Sequence, residues 1–257
     1  MLQFVLKYKK TIVRIVLFVG CFYLVQSFLF SDLFLQLMFR EKIWVHRVNS
    51  IEKLKEVENN FFGVELDVVF LDAENIFDVT HPPEPSIDLS LYQYMKSCES
   101  DELHFWIDFK NLNERNFEAS IRQLDIICSQ LSIDKERIIV ESTMANLIGE
   151  FKERGYDISY YLPWPGLSHL TGDSLREELV HIGEKVERNG LSQISSNYHD
   201  YEIMKNQFPN KKKLLWLTGS NKTYTNSVKE WLYLYDILED EKVQIILMKY
   251  DSDTGER

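Results

Sequence analysis

The sequence predicts a compact parallel (β/α)8 barrel of the TIM type, preceded by one transmembrane helix. From Ile43 onward, eight short apolar runs alternate with helix-like segments, an alternation typical of parallel α/β folds. A charge-free apolar segment precedes them, from Ile15 to Phe30. The competing fold is an open doubly wound sheet, which often carries a glycine-rich turn at its ligand site. No such turn follows any early strand here, so the barrel is favoured.

The second predicted strand has a pattern that suits the wall of a barrel. Glu65 and Asp67 share one face, while Val64, Leu66 and Val68 share the other, because successive side chains of a strand point to opposite faces. Two carboxylates opposite an apolar face make sense where they face a polar cavity. The mouth of a barrel provides one.

The same pattern recurs in the third predicted strand, where Asp108 and Lys110 lie opposite an apolar face. Upstream, the run Trp44–Asn49 places His46 at the end of the first strand. Since barrel active sites form at the carboxyl ends of the strands, these side chains are expected to meet. The same reasoning adds Glu141, Asn197 and Trp216, which fall at the ends of later strands.

The remaining elements follow from apolar periodicity and from start and stop signals. A capping box at Asn49-Ser50-Ile51-Glu52 begins the first helix of the barrel. The further predicted strands are Gly63–Phe70, Leu103–Lys110, Arg137–Glu141, Asp157–Leu162, Leu191–Ser196, Lys213–Thr218 and Lys242–Tyr250. The further predicted helices are Ser86–Cys98, Glu114–Leu131, Ser142–Arg154, Asp173–Asn189, His199–Gln207 and Thr225–Glu239. The span from Ile43 to Tyr250 is short for a barrel, so small or missing helices are expected.

Residues 1–42 are predicted to form a basic cytoplasmic tip, a membrane anchor and a short linker, with the barrel domain in residues 43–257. A spanning helix needs about 20 apolar residues, a length reached over about Thr11–Phe30 if Arg14 extends to the headgroups. No small-residue cleavage site follows, which favours an uncleaved anchor over a signal peptide. The basic residues before the anchor predict a cytoplasmic N-terminus and an extracytoplasmic barrel in a single-pass protein.

Composition excludes some classes of function. Hydrophobic residues make up 45% of the chain, enough for a large core, so global disorder is excluded. The net charge is −11, and no Lys/Arg-rich patch stands out beyond Lys211–Lys213, so nucleic-acid binding has little support. Cys21, Cys98 and Cys128 lack metal-ligand spacing. Cys98 and Cys128 could form a disulfide, but the favoured interpretation is two buried free thiols.

Three converging acids, Glu65, Asp67 and Asp108, would repel one another, and burial would raise their pKa values. Either one of them stays protonated or a divalent cation neutralises the group. Carboxylate oxygens are the ligands that Mg²⁺ and Ca²⁺ prefer. We therefore predict one bound Mg²⁺ or Ca²⁺.

These motifs resemble the phospholipase-C-like phosphodiesterase superfamily, which contains glycerophosphodiester phosphodiesterases and spider-venom-type phospholipase D enzymes. The matching segments are His46-Arg47, Glu65-Leu66-Asp67-Val68, His81 in the following loop, and Asp108-Phe109-Lys110. The sequence is most similar to the menorin-like branch, through Trp44–Ser50, Thr80-His81-Pro82-Pro83 and Trp106–Lys110. The likeness covers the chain from Ile43 onward, with its strong motifs in the first third of that span.

The resemblance implies a role for each matching residue. His46 and His81 would act as general acid and base, Lys110 would hold the phosphate, and the three acids would bind the metal. The substrate contacts predicted beside them are Arg47, Asn49, Glu141, Asn197 and Trp216. Glycerophosphodiesterases have Gly after His-Arg and usually Asp after the second histidine, where this chain has Val48 and Pro82. The resemblance therefore does not extend to glycerophosphodiester specificity.

The predicted function is a membrane-anchored, metal-dependent phosphodiesterase or phospholipase-D-like lyase. Its partners would be the membrane and a phosphodiester, either a lipid head group or a glycan-linked one, and no nucleic acid. The alternative is a non-catalytic extracytoplasmic interaction module built on an inherited barrel. A glycoside hydrolase with a carboxylate pair is a third possibility that His46, His81 and Lys110 fit poorly.

Overall fold

The structure, a computed structural model, describes residues 2–163, 165–217 and 227–252. Within them, nine strands are formed by runs of alternating or wholly buried residues. The strands are β1 (Ile43–Val45), β2 (Gly63–Leu71), β3 (Ile76–Val79), β4 (His104–Phe109), β5 (Ile138–Ser142), β6 (Asp157–Tyr161), β7 (Gln193–Asn197), β8 (Lys212–Trp216) and β9 (Val243–Met248).

Eight of these strands form a closed parallel barrel, as the sequence predicts. Strand β1 pairs with β2 on one side and with β9 on the other, and the ring continues through β8, β7, β6, β5 and β4 back to β2. The seam between β1 and β2 is short, with Val45 and Val64 as its register pair. Between β2 and β4 the register runs from Gly63 and His104 to Val68 and Phe109.

The helices of the described chain connect these strands around the outside of the barrel. They are α1 (Leu2–Leu29), α2 (Asp32–Met38), α3 (Ile51–Val57), α4 (Leu91–Ser97), α5 (Phe117–Leu131), α6 (Ala145–Glu153), α7 (Gly172–Arg188), α8 (Tyr201–Gln207) and α9 (Val228–Glu239). Of the connecting helices, α3, α4 and α8 have seven residues each, which agrees with the expectation of small helices. Each of the seven crossovers nevertheless contains a helix.

Strand β3 is not among the strands predicted from the sequence. It lies antiparallel to the end of β2, with Val68 opposite Val79 and Leu71 opposite Ile76. The hairpin returns the chain to the barrel mouth, where the backbone N–H of Thr80 donates to the Asp67 carbonyl at 3.0 Å. The consequence is that the next residue, His81, lies beside the carboxylates of β2.

Most predicted boundaries agree with the structure within three residues, and the predicted helix over Ser86–Cys98 is the main exception. Helix α4 begins at Leu91, because Ser90 and Gln93 form a reciprocal capping box there. The predicted strand end at Thr218 and helix start at Thr225 lie outside the described residues. Cys98 and Cys128 are free thiols, so the disulfide left open by the sequence is not formed.

The apolar core has two parts. The larger part fills the space between the barrel wall and the helices. A smaller cluster fills the interior of the barrel and comprises Trp44, Trp106, Ile139, Leu214, Trp216, Ile245 and Leu247. Gly63 makes room for the first of these side chains, because a Cβ there would lie 2.3 Å from Trp44 Cδ2.

The predicted membrane helix over about Thr11–Phe30 coincides with the greater part of α1, which ends at Leu29. No single helix in the described part of the chain has the length and hydropathy of a membrane span. Val13–Leu29 and Asp32–Met38 have them together, with a bend of 62° between the two helices. Ser31 lies in the break and caps α2 by accepting from the N–H of Phe34 at 3.2 Å.

Helix α2 packs on α9 through aromatic side chains. The ring of Phe30, just before α2, lies 5.0 Å from that of Trp231, and the ring of Phe39, just after it, lies 5.4 Å from that of Tyr235. Between them Leu35 is fully buried. The barrel thus holds α2 along its length, whereas most side chains of α1 from Val13 to Phe28 are exposed.

Candidate active site

A cavity of about 330 Å³ opens at the carboxyl ends of the strands, where active sites of parallel barrels form. Its lining contains polar and charged groups on one side and aromatic groups on the other. The lining residues are His46, Arg47, Glu65, Asp67, His81, Asp108, Lys110, Glu141, Tyr161, Trp216 and Leu247. Nine of the eleven site residues predicted from the sequence are therefore brought together.

The turn after β1 presents His46 and Arg47 to the cavity. Arg47 has a φ of 53°, which is uncommon for a residue with a side chain and is often found at functional sites. Its backbone N–H donates to Glu65 Oε2 at 2.7 Å, and its carbonyl accepts from Lys53 Nζ at 2.9 Å. His46 Nε2 lies 3.6 Å from the same Glu65 oxygen. The turn is thus fixed from both sides.

Glu65, Asp67 and Asp108 form a compact acidic cluster. One carboxylate oxygen from each lies within 4.8 Å of the others, and all three residues are buried. The proximity follows from the register, since Asp67 lies directly opposite Asp108 and Glu65 points to the same face two residues earlier. The predicted metal ligands are therefore adjacent in space.

Lys110 provides the positive charge nearest to this cluster. Its Nζ lies 2.7 Å from Asp67 Oδ1 and also donates to Asp108 Oδ2. Burial would lower the pKa of Lys110, but Asp108 and Asp67 outweigh it and raise that pKa well above its usual value. The ammonium group therefore stays charged and stabilises the neighbouring carboxylates.

The carboxylates respond to burial and to one another in different ways. Burial, with a contribution from Asp67, raises the pKa of Asp108 to about 6. Burial also raises the pKa of Glu65 well above its usual value, with Asp67 and then Asp108 adding to it. For Asp67, burial is outweighed by Lys110 and by the Asn49 hydrogen bond, so its pKa is lowered. Asp67 is thus the member of the cluster whose ionised form the site favours.

Asn49 is predicted to contact substrate, and the structure places it behind Asp67 instead of in the lining of this cavity. Its Nδ2 donates to Asp67 Oδ2 at 2.7 Å, and its Oδ1 accepts from the backbone N–H of Asp67 at 2.9 Å. Two bonds to one residue fix the orientation of the Asp67 carboxylate. A direct contact between Asn49 and the substrate remains a prediction, but the bonds of Asn49 to Asp67 favour a supporting role instead.

His81 lines the same cavity as His46. Arg47 Nη2 lies 3.0 Å from His81 Nε2, and because a guanidinium only donates, Nε2 is the accepting nitrogen. Burial lowers the pKa of His81, and burial lowers that of His46 to about 3. Both imidazoles are therefore neutral near pH 7 in the ligand-free protein.

The far wall of the cavity contains Glu141 and two stacked aromatic rings. Glu141 accepts from Ser195 Oγ, and burial followed by Asp108 raises its pKa well above the usual value. The rings of Tyr161 and Trp216 are stacked with centroids 4.9 Å apart and planes 7° apart. Tyr161 was not predicted as a site residue. Alternation along β6 could have indicated it, because Ser159 pairs with Glu141 and Tyr161, two residues further on, lies on the same face.

Asn197 is the second predicted substrate contact outside the lining of the cavity. It lies at the end of β7, and its side chain accepts from the backbone N–H of His199 at 3.0 Å. It thereby caps the short helical turn Tyr198–Asp200. Its predicted contact with substrate is untested, and the capping role accounts for its position after the strand.

Comparison with known proteins adds evidence on the fold. No family model and no curated protein matches the sequence. Among solved structures, the chain is similar to a glycerophosphodiester phosphodiesterase from Parabacteroides distasonis, with 15% identity, coverage of 84% of this chain and 94% of that one, and a TM-score of 0.57. It is also similar to a phosphodiesterase from Oleispira antarctica in complex with the product sn-glycerol-3-phosphate, with 11% identity, coverage of 82% and 94%, and a TM-score of 0.55. The menorin-like likeness is not tested by these matches. The chain therefore has the barrel fold of the glycerophosphodiester phosphodiesterases, as the superfamily resemblance implies.

Proposed function

We propose that the protein is a metal-dependent phosphodiesterase that uses His46 and His81 as its acid–base pair. One observation carries this proposal: two histidines from separate elements line the same cavity as Lys110 and the acidic cluster. A phosphodiester is an anion with two ester oxygens, so its cleavage needs cationic groups and two proton transfers. This cavity supplies both.

Glu65, Asp67 and Asp108 are suited to hold a divalent cation. Their oxygens lie within 4.8 Å of one another, and burial, followed by repulsion from the neighbouring carboxylates, raises the pKa values of Glu65 and Asp108, a cost that a bound cation would relieve. All-oxygen ligation suits Mg²⁺ or Ca²⁺. A bound cation would stabilise negative charge on the phosphoryl oxygens during the reaction.

Lys110 and Arg47 would orient the phosphate from the protein side. The Lys110 ammonium is held by Asp67 and Asp108, and the Arg47 guanidinium lies at the mouth against His81. Charged donors fixed before the substrate arrives stabilise the transition state without reorganising. The stacked rings of Tyr161 and Trp216 offer an apolar wall to one of the alcohol groups of the substrate.

The histidines would move the protons. A neutral imidazole accepts the proton of the attacking hydroxyl, and an imidazolium gives one to the leaving oxygen. The second role requires one histidine to gain a proton when the anionic substrate binds and offsets the effects of burial and Arg47. Attack by a hydroxyl of the substrate would yield a cyclic phosphate, whereas attack by water would yield a monoester.

The neighbouring structures support a phosphodiester substrate, and one of them holds sn-glycerol-3-phosphate as product. Val48 and Pro82 depart from the glycerophosphodiesterase pattern, so the proposed substrate is a phosphodiester of another kind, either a lipid head group or a glycan-linked one. The exposed apolar side chains of α1 support membrane anchoring, with the N-terminus in the cytoplasm and the barrel outside. Protease added to intact cells or spheroplasts would then digest the barrel. Full protection of the barrel would show that the topology is the reverse of the one proposed.

The test is turnover by the purified full-length protein, with Mg²⁺, with Ca²⁺ and with a chelator. Substrates would include a glycerophosphodiester, a lysophospholipid and a chromogenic aryl phosphodiester. Phosphorus NMR separates cyclic from monoester products. Turnover that stops with the chelator would support the proposal. No turnover of any phosphodiester by the metal-loaded protein would refute it and favour the non-catalytic interaction module.

A further inference from the structure

The chain leaving α1 meets the barrel at the same end as the cavity. Helix α9 follows β8, whose carboxyl end contributes Trp216 to the cavity, so the first turn of α9 lies at that end. In this turn, Trp231 stacks edge-on against Phe30 at 5.0 Å. Its indole nitrogen donates to the carbonyl of Ser31 at 3.4 Å. The junction between α1 and α2 is therefore fixed at the level of the cavity mouth.

From this junction, α2 and the linker run along α9 to the opposite end of the barrel. Lys42 Nζ donates to the carbonyls of Leu238 and Asp240 at 2.7 and 2.9 Å, and β9 starts just beyond them. Trp231 and Asp240 are separated by roughly 13 Å, given a rise of 1.5 Å per residue. The direction of α2 is thus from the cavity end toward the far end.

The bend between the helices determines where α1 extends. Because the axes of α1 and α2 differ by 62°, the axis of α1 has a component parallel to that of α2. About half of the ~25 Å length of Val13–Leu29 then projects along this axis. Because α2 points away from the cavity end, the N-terminal part of α1 extends beyond the cavity mouth, on the side where substrate enters.

Some exposed apolar side chains lie at this same end. Val228 and Leu232 on the first turns of α9 are 57% and 48% exposed, and Leu33 on α2 is 55% exposed. Ile87, in the loop after β3, is 37% exposed on the far side of β1. Leu37 and Met38, further along α2, are 63% and 57% exposed, so the orientation rests on the direction of α1 and these side chains extend the apolar surface along α2.

We propose that the barrel rests with its cavity mouth against the bilayer that α1 enters and takes a phosphodiester from the headgroup layer of that bilayer. This inference rests on the proposed function for its catalysis and its anchoring. The occupant of the apolar surface is a lipid bilayer because α1 carries no charge from Ile15 to Phe30 and is exposed around its circumference, which suits lipid better than a protein groove. Basic residues precede it, as they do beside membranes.

The orientation can be measured with the full-length protein in phosphatidylcholine vesicles. A single cysteine is placed at the mouth by Ile87→Cys or at the far end by Glu102→Cys, each in a background that removes the three free thiols by Cys21→Ser, Cys98→Ser and Cys128→Ala. Both sites are exposed. Each protein is labelled with a fluorophore and mixed with headgroup spin-labelled lipid. Strong quenching at the mouth site with little at the far site is expected. The reverse, or equal quenching, would overturn the orientation, whereas failure to float with vesicles would refute the anchoring instead.

Turnover separates the orientation from catalysis. A flexible 20-residue Gly-Ser insertion between Phe30 and Ser31 leaves the barrel intact and frees it from α1. Turnover of a lipid phosphodiester in the same vesicle is expected to fall about tenfold, because the mouth is no longer held at the surface. Turnover of a soluble aryl phosphodiester stays unchanged. An equal effect, or none, on both substrates would overturn the inference. A wild type inactive on both substrates would refute the proposed function and leave the quenching result to decide the orientation.

Discussion

Replacing Lys110 by methionine tests the electrostatics of the acidic cluster most directly. The substitution keeps the length of the side chain and removes the charge that contacts Asp67 and Asp108. Removing one partner of a buried ion pair costs ~3–5 kcal/mol. The side chain of Lys110 is 24% exposed, so solvent screening favours the lower figure, about 3 kcal/mol of unfolding free energy, when a chelator is present.

A divalent cation is expected to reverse most of this loss. At a cation concentration 100 times the Kd of the variant, mass action contributes about 2.7 kcal/mol to the folded variant. The wild type gains less, because its Lys110 ammonium already occupies the same carboxylates and repels the cation. Since 1 kcal/mol moves the Tm of a domain of this size by about 2–4 °C, Lys110→Met should melt about 6–12 °C below wild type in chelator. With Mg²⁺ or Ca²⁺ the gap should close to a few degrees.

The measurement is thermal melting of the full-length protein by circular dichroism, in one detergent and at constant ionic strength. Lys135→Met is the matched control, because Lys135 also pairs with an acid, Asp125, but lies outside the acidic cluster. Its Tm shift should be the same with and without metal. An unchanged Tm of Lys110→Met in chelator, or an equal rescue of both variants by metal, would refute the reasoning.

Three further predictions concern the histidines, pH and the support of the cluster. His46→Ala and His81→Ala should each lower kcat about 100-fold or more, as expected for lost acid–base catalysis. As a control, replacing the exposed His199 by alanine should leave kcat unchanged. Wild-type rates in the first two variants would exclude His46 and His81 as catalytic residues. The pKa of Asp108 is raised to about 6 from 3.8, so in chelator its favourable contribution to folding is present below pH 4 and is lost as pH rises through 6. Asp108→Asn should therefore gain stability relative to wild type between pH 4 and pH 8, in urea titrations, and a pH-independent difference would show that burial does not act on this group. Asn49→Ala removes both bonds to Asp67, one to its carboxylate and one from its backbone N–H, and should weaken Ca²⁺ binding about 10-fold or more. Calorimetry measures this, and an unchanged affinity would contradict it.

The inward face of the barrel could be predicted because its pattern is local. Alternation over Val64–Val68 and Phe105–Lys110 fixes which side chains share a face, independently of any partner. Parallel pairing then brings their carboxyl ends together. The acidic cluster and Lys110 were predictable for this reason, and the structure places all four side chains in one cavity.

The rest of the site depends on contacts that no local pattern records. Strand β3 is four residues long, too short to distinguish by alternation from the loop around it, and without it the position of His81 cannot be derived. Arg47 and His81 meet across 34 residues. Asn49 and Asn197 lie after strands as substrate-binding residues would, yet their side chains bond Asp67 and the backbone of His199.

The short seam between β1 and β2 has a consequence for hydrogen exchange. β1 has three residues and meets β2 at one register pair, and beyond it Val48 N–H donates to the Glu65 carbonyl at 2.8 Å. Short ladders open locally at low free energy, so the Val48 amide should exchange faster than the amides between β2 and β4. A phosphodiester bound between His46, which follows β1, and His81, which follows the β2–β3 hairpin, would connect the two sides of this seam. Slower exchange at Val48 on binding would then report occupancy of the cavity without any turnover.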